Sequence, residues 1–381
     1  MIIGVDSRVL MDAQYSGVAE YTLNLLRALL KEDRTNDYAL FYNSARDLGG
    51  RLPKFDQPNV SFVGRRFPNK LLNYGLFKIL NRPRLDQLIK RRLDVFWLPH
   101  FNFMSWPRAK NFLTVHDLSF LRYQEFFSAR NNFWHRQINA PRLIRQADRV
   151  VAISQSTKRD IVELTGVSPD KVTVIYSGIA ADYRPLAAAD PRLAATKNKY
   201  QLPDKFILYL GTIEPRKNLV GLLEAYNYLR QNYPELAMVK LVIAGGNGWK
   251  FKEVYRAAAA SPYWQDIKFL GYVEAADKSA LYNLAGVFAF PSFYEGFGFP
   301  PLEALACGTP LVASFASSLP EVVGKAGILV DPYNGAAIGT ALAQVLTDDN
   351  LRAALSKRGL AQVEKFTWRQ TAQEYLKLLT A

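Results

Sequence analysis

A single cysteine, Cys307, occurs among 381 residues, so no intrachain disulfide can form. Nothing therefore argues for an oxidising compartment. No stretch of about 18 residues is apolar and uncharged enough to cross a membrane as a helix. The opening MIIGVDSRVL has no basic stretch followed by a long apolar run, so no secretory signal is expected. The expected location is the cytoplasm, with the inner face of the cell membrane open as a binding surface. No G-x-G-x-x-G follows the first apolar run, which weighs against a nicotinamide-dependent oxidoreductase. No D-x-D pair follows a strand, so no metal and no other cofactor is expected. Acidic residues are also scarce: 34 against 48 Lys and Arg, for a net charge of +14 and a pI near 9.6. That excess lies mostly before Asp190 and favours anionic partners such as phosphorylated substrates, nucleic acid or an acidic membrane.

What is present is ordinary for a folded chain: 49% hydrophobic and 22% charged residues. Short strand-type runs (IIGVDSRVL, YALFYN, VSFVG, DVFWLP, NFLTVHD, RVVAIS, VTVIYSG) alternate with helical spacing such as VAEYTLNLLRALLKE. STKRDIVELTG reads as a capped helix, with Ser154 or Ser156 at its start and Gly166 at its end. Residues Ala180–Lys205 are rich in Ala, Pro and charge and read as a linker. A second alternation follows: FILYLGT, LVIAGG, IKFLGYV, VFAFPS, LVAS and GILVDP, with helices between. Strands alternating with helices predict parallel sheets, here twice. The expected fold is α/β, two doubly wound Rossmann-like domains facing a cleft. They span 1–185 and 186–365, with a last helix, 366–381, packing back on the first. Ligands in such folds sit at the carboxyl ends of strands.

The most informative stretch is SFYEGFGFPPLEALACGTPLVAS, from Ser292. Glu295 falls in the loop after a strand, and Glu303 is expected in the first turn of the next helix. Pro300 and Pro301 suit that helix start, and Gly308 its end. Gly296 and Gly298 allow close backbone approach. Paired acceptors beside helix-start amides suit a polyhydroxylated, phosphorylated ligand. Both glutamates could instead be charges favoured by the helix dipole. In GTIEPRKN, Arg216 and Lys217 follow a strand and can neutralise a diphosphate, or form a solvated turn. Of the three histidines, His116 follows a strand and precedes Asp117. His100 also follows an apolar strand; it and His135 receive no role. Cys307, inside ALACG, reads as a small buried apolar residue.

Taken in order, YSGVAEY, VHD, AISQSTKRDI, GTIEPRKN, VIAGG, FLGYV and the E-x7-E segment resemble the retaining GT-B glycosyltransferases of glycosyltransferase family 4. The resemblance covers nearly the whole chain. It implies transfer of a hexose, mannose favoured, from a nucleotide diphosphate sugar to an acceptor hydroxyl. A cell-surface polysaccharide or a lipid-linked glycan is the implied acceptor. It further implies that Arg216 and Lys217 bind the diphosphate, and that Glu295 holds the sugar hydroxyls with the Phe297 and Gly298 amides. By the same resemblance Glu303 binds the ribose, with Leu302 beside it. Gly245, Gly246, Tyr272 and Val273 line the base pocket. The Gly17 and Val18 amides approach the leaving phosphate, and His116 bonds a hydroxyl of the transferred sugar. Many relatives carry an arginine where Thr212 stands, which shifts the phosphate work to Arg216 and Lys217. Alternatives remain: a UDP-sugar donor, an epimerase or phosphorylase on the same scaffold, or a silent binding relative.

Residues 65–92 interleave Arg65, Arg66, Lys70, Lys78, Arg82, Arg84, Lys90, Arg91 and Arg92 with leucines and aromatics. Such a segment can lie on an anionic bilayer, or can be a helix with a buried stripe and solvated charges. No nucleic-acid motif accompanies the charge, so nucleic acid is not the expected partner.

Overall fold

The structure is a computed structural model and describes residues 1–11, 16–48 and 50–381. Tyr15, the first residue of the YSGVAEY motif, lies outside the described residues. By internal contacts the chain forms two compact units. The first contains Met1–Leu118, Arg130–Gly178 and Thr367–Ala381; the second contains Ser119–Ala129 and Ile179–Phe366.

The first unit holds a seven-stranded sheet: β1 (Ile2–Asp6), β2 (Asp37–Asn43), β3 (Val60–Arg65), β4 (Val95–Leu98), β5 (Lys110–Val115), β6 (Arg149–Ala152) and β7 (Val172–Val174). The order is β3-β2-β1-β4-β5-β6-β7, with every pair parallel. The second unit holds a six-stranded sheet: β8 (Phe206–Leu210), β9 (Lys240–Ala244), β10 (Ile267–Gly271), β11 (Val287–Phe290), β12 (Leu311–Ser314) and β13 (Ile328–Val330). Its order is β10-β9-β8-β11-β12-β13, again all parallel. Central strands such as FILYL and VFAF are buried along their whole length. Helices cover both faces of such a sheet, which is why these strands read as unbroken apolar runs. Strand order reverses beside β1 and β4 in the first unit, and beside β8 and β11 in the second. Those are the switch points at which doubly wound sheets leave a crevice.

The units do not divide where composition suggested. Residues 179–186 are tied to the second unit by their backbone. Ile179 N–H donates to the Phe366 carbonyl (3.0 Å), Ser279 Oγ to the Asp182 carbonyl (2.9 Å), and Leu186 N–H to Asn283 Oδ1 (2.8 Å). The stretch read as a linker also contains a helix, Pro191–Tyr200, capped by Asp190 accepting from Arg192 N–H. Ser119–Ala129 belongs to the second unit because Phe126 stacks on Phe293 and Trp249 Nε1–H donates to the Phe126 carbonyl (2.6 Å).

The last helix, Trp368–Thr380, is part of the first unit and packs on the helix Gly17–Glu32. A buried relay joins them to the sheet. Trp97 Nε1–H donates to Thr114 Oγ1 (2.9 Å), Thr114 bonds the Tyr375 hydroxyl (2.7 Å), and Tyr375 bonds Tyr21 (2.7 Å). Each polar tip in this apolar interior has a partner, which is the condition for burying it at low cost. Thr114→Val removes the central member and strands the indole N–H. We expect a loss of about 2 kcal/mol in chemical denaturation; a change below about 0.5 kcal/mol would show that the relay contributes little.

Candidate active site

The second unit gathers four charged residues, Glu214, Arg216, Lys217 and Glu295, where β8 and β11 end. Pro215–Lys217 forms a single 3-10 turn after β8, and the YEGFG loop follows β11. Lys217 Nζ lies 2.6 Å from Glu295 Oε1, and Arg216 Nη1 lies 3.0 Å from Glu295 Oε2. Arg216 Nη2 also reaches Glu214 Oε1 at 2.8 Å, and its Nη1–H donates to the Tyr294 carbonyl at 2.7 Å. Two cations and two carboxylates thus balance within one mostly buried cluster, which meets the requirement that buried charge be paired. Burial alone would raise the Glu295 carboxyl, but the Arg216 and Lys217 charges outweigh it and hold the group at about 2. A carboxylate held so low is a poor base and a poor nucleophile. Its evident work is to fix the direction of two cationic heads.

The loop is held from β12. Ser317 Oγ accepts from Glu295 N–H (2.7 Å), while Ser318 Oγ donates to the Glu295 and Phe297 carbonyls (2.9 and 2.8 Å). Gly298 then adopts φ 112°, and a Cβ there would stand 2.9 Å from Leu319 Cδ2. The helix Phe299–Ala306 starts next, with Gly308 just beyond its end at φ 74°. Pro300 and Pro301 remove two of the amides that a helix start would offer, and Leu302 N–H is already bonded to the Gly298 carbonyl. Leu302 is fully buried, so its position is that of a core residue, not of a group facing a ligand. Glu303 lies past the first turn, not within it, and its Oε2 accepts from the buried Tyr282 hydroxyl at 2.8 Å. Cys307 is buried, and burial pushes its thiol up to about 12.

On the other side of β8, Gly245 follows β9 with φ 135°. A Cβ would stand 2.0 Å from the Gly211 carbonyl oxygen, so only glycine fits. Gly245 N–H donates to Gly271 (2.7 Å), and Ile213 N–H to Gly246 (3.0 Å). The ends of β8, β9 and β10 are thereby laced together. Tyr272 is about half exposed, whereas Val273 is buried and offers only backbone to a pocket. Phe297 likewise has its ring in the core, against Phe299 and Phe366.

In the first unit, His116 follows β5. Its Nε2 lies 2.9 Å from the Pro99 carbonyl, so Nε2 carries the proton, and Tyr21 packs edge-on at 4.7 Å. Burial pushes the imidazole down to about 4, so it is neutral near pH 7. Gly17 and Val18 open the helix capped by Ser16, whose Oγ accepts from Ala19 N–H. They supply the two helical amides that precede it, positions that lack intrahelical partners. A Cβ on Gly17 would meet nothing within 4 Å.

Three further residues received no role from the sequence, and of these only His100 was noted there. Asp6 ends β1 and accepts from Arg8 Nε at Oδ1 (2.8 Å), from Nη2 at Oδ2 (2.6 Å) and from the Arg8 backbone N–H at Oδ1 (3.1 Å). Burial would raise the Asp6 carboxyl, but Arg8 lowers it. Arg8 also donates to the Phe103 carbonyl (2.9 Å) and to Asn73 Oδ1 (3.2 Å). His100, after β4, feels Asp6, Arg8 and His116, and burial pushes it down to about 4. Its Nδ1 is buried without a hydrogen bond. The only sequence signal was position, since each follows an apolar run.

Comparison with known proteins gives this arrangement its context. Residues 15–183 match the family described as Glycosyltransferase Family 4, and residues 194–362 the family described as Glycosyl transferases group 1. The O-antigen chain mannosyltransferase B of Escherichia coli is 35% identical over 373 residues, covering 93% of each chain. The chain belongs to glycosyltransferase family 4. The family 4 assignment makes it a hexose-transferring enzyme of GT-B fold, as the motifs implied. The serotype-specific mannosyltransferase WbdA of Escherichia coli is 35% identical over 268 residues, 69% of this family 4 chain and 32% of that protein. The sucrose-phosphate synthase of Thermosynechococcus elongatus shares the fold, with a TM-score of 0.75 at 19% identity, covering 99% of this chain and 97% of that one.

The clasp on Glu295 makes a signed pH prediction. The usual value for this carboxyl is 4.5 and its folded value is about 2. Its stabilisation is therefore complete above pH 4.5 and is lost as pH falls towards 2. The stability gap between wild type and Glu295→Gln should be on the order of 3 kcal/mol at pH 6 and should shrink steadily below pH 4.5. Denaturation midpoints across that range test it; a gap independent of pH would show that Glu295 is not ionised in the clasp.

Proposed function

We propose that the enzyme transfers a mannosyl group from a nucleotide diphosphate sugar to a glycan hydroxyl, with retention of anomeric configuration. The observation that carries this reading is the Arg216–Glu295–Lys217 clasp at the ends of β8 and β11. Two adjacent cations, held in direction by one carboxylate, match a diphosphate whose negative charge grows as the glycosyl bond breaks. Mannose is favoured because both curated relatives described above are mannosyltransferases. In this scheme the C1–O bond to the diphosphate breaks while the acceptor oxygen bonds C1 from the same face. The leaving phosphate oxygen takes the acceptor proton. Glu295, clamped and acidic, does not attack C1. His116, a neutral imidazole, bonds a sugar hydroxyl, Gly17 and Val18 offer amides to the leaving phosphate, and Glu303 accepts from the ribose. Gly245, Gly246 and the backbone at Tyr272 and Val273 border the base. Lys217 and Arg216 perform the charge neutralisation for which other enzymes use a bound cation.

We also propose that residues 65–92 rest on an anionic membrane carrying a lipid-linked acceptor. No helix among the described residues is long and apolar enough to cross a membrane. The element Leu71–Leu80 commits Leu72 and Phe77 to the core, yet Ile79 and Leu80 are 75% and 63% exposed beside Lys78 and Arg82. An apolar patch flanked by cations is the combination that binds acidic bilayers.

Arg216→Ala and Lys217→Ala should each lower kcat at least about 100-fold with GDP-mannose as donor, while 5 mM-scale chelator leaves wild-type turnover intact. A thermal-shift panel should show stabilisation by one nucleotide diphosphate class, weakened in Glu303→Ala. Absence of any nucleotide shift would sink the transferase mechanism, and a preference for UDP would redirect the donor to a UDP-sugar. Co-sedimentation should favour vesicles containing phosphatidylglycerol, and Ile79→Asp with Leu80→Asp should abolish that preference. Equal binding to neutral vesicles would remove the membrane proposal.

A further inference from the structure

A cavity of about 390 Å³ opens in the second unit beside the start of the helix Leu219–Asn232. None of Arg216, Lys217, Glu295 or Glu303 lines it, although Glu214 borders it. Its floor is built. Asn218 sits at φ 56°, and its Nδ2 donates to the carbonyls of Pro291 (3.1 Å) and Pro332 (2.6 Å), tying the ends of β11 and β13 together. The lining includes a run of aromatic rings. Phe126 stacks on Phe293 with centroids 5.6 Å apart and planes 18° from parallel, and Phe293 packs on Tyr333 at 4.8 Å. Tyr333 is nonetheless 75% exposed, an aromatic face left open to solvent.

The charged part of the lining is three glutamates, Glu214, Glu224 and Glu253, against one lysine, Lys250. Glu214 is neutralised by Arg216, and the Lys250 ammonium donates to the Glu125 carbonyl. Glu224 and Glu253 line the cavity without an ion pair among the described residues. In a chain of net charge +14, this is a local reversal of sign. Two carboxylates repel phosphates, so the cavity does not suit a nucleotide or a lipid headgroup. A purely apolar ligand would strip water from the same carboxylates without replacing it. A neutral sugar satisfies both demands. Its C–H face packs on aromatic rings, and its hydroxyls donate to carboxylates in charge-assisted bonds. The volume lies within the usual range for a small-molecule pocket.

We propose that this cavity is a second saccharide subsite, which holds a neutral residue of a glycan chain away from the reacting end. The identity of that glycan as the chain being extended rests on the glycosyl transfer proposed above. Holding a distant residue converts each further encounter with the chain into a tethered one and raises its effective concentration.

The test is titration of the full chain with manno-oligosaccharides of two to four residues, followed by calorimetry or saturation-transfer NMR. Tyr333→Ala and Glu224→Gln serve as variants, since both side chains are exposed and neither touches the clasp. Each should raise Kd about tenfold, a difference of about 1.4 kcal/mol. Each should also raise KM for the tetrasaccharide acceptor while leaving KM for a monosaccharide glycoside unchanged. No saccharide binding by wild type, equal Kd in the variants, or tighter binding of an acidic oligosaccharide would overturn the proposal. GDP and UDP shifts on the same samples separate the two ideas. Nucleotide binding without saccharide binding overturns the subsite alone. Saccharide binding sensitive to Tyr333, without any nucleotide effect, upholds the subsite and counts against the transferase mechanism.

Discussion

One carboxylate held between two cations organises the second unit. Glu295 keeps its charge in a buried loop because Arg216 and Lys217 both pair with it. The pairing joins the segment after β8 to the segment after β11, the two central strands of the sheet. It therefore sets the geometry of the crevice at the place where a doubly wound sheet provides one. The serines after β12 hold the backbone that bears Glu295, and the glycines after β9 and β10 close the other flank. On the proposed reading, an incoming diphosphate would find cations already aimed and already desolvated, leaving little reorganisation for the moment of reaction.

The first unit uses the same topological logic with different chemistry. Its switch point gathers Asp6, Arg8, His100 and His116, all at the carboxyl ends of β1, β4 and β5. Here the ion pair is internal, and burial keeps both imidazoles neutral. Neutral rings at such a place can donate or accept hydrogen bonds to hydroxyls without adding charge. Arg8 also reaches Asn73, on the element whose outer side exposes Ile79 and Leu80. A single guanidinium thus connects the base of the crevice with the basic, apolar surface segment.

Charge is distributed by task. The excess of lysine and arginine is concentrated along residues 65–92, whereas the cavity beside Asn218 presents glutamates and aromatic rings. The first composition suits an acidic surface and the second a neutral polyol. An overall charge of +14 conceals that difference, because net charge records no positions.

By itself, the sequence determined the strand and helix alternation, the parallel sheets and the ends of a few helices. These rest on local rules: apolar runs, Ser154 and Gly166 as caps, prolines at a helix start. It also determined the family, through motifs whose order no single local rule would produce, and it brought Arg216, Lys217, Glu295 and Glu303 to notice. The tertiary structure decided what those residues do to one another. That Glu295 is clasped by both cations depends on β11 lying beside β8, although 78 residues separate Lys217 from Glu295. That Leu302 and Val273 turn inwards depends on which face of each element meets the core. Asp6 and Arg8 drew notice, and His100 gained neighbours that give it a place in a site, only when β1 and β4 came to lie side by side. The boundary at Gly178 and the placing of Ser119–Ala129 in the second unit were likewise set by long-range hydrogen bonds and ring stacking. Such contacts leave no periodic trace along the chain, because each depends on a partner far away in sequence.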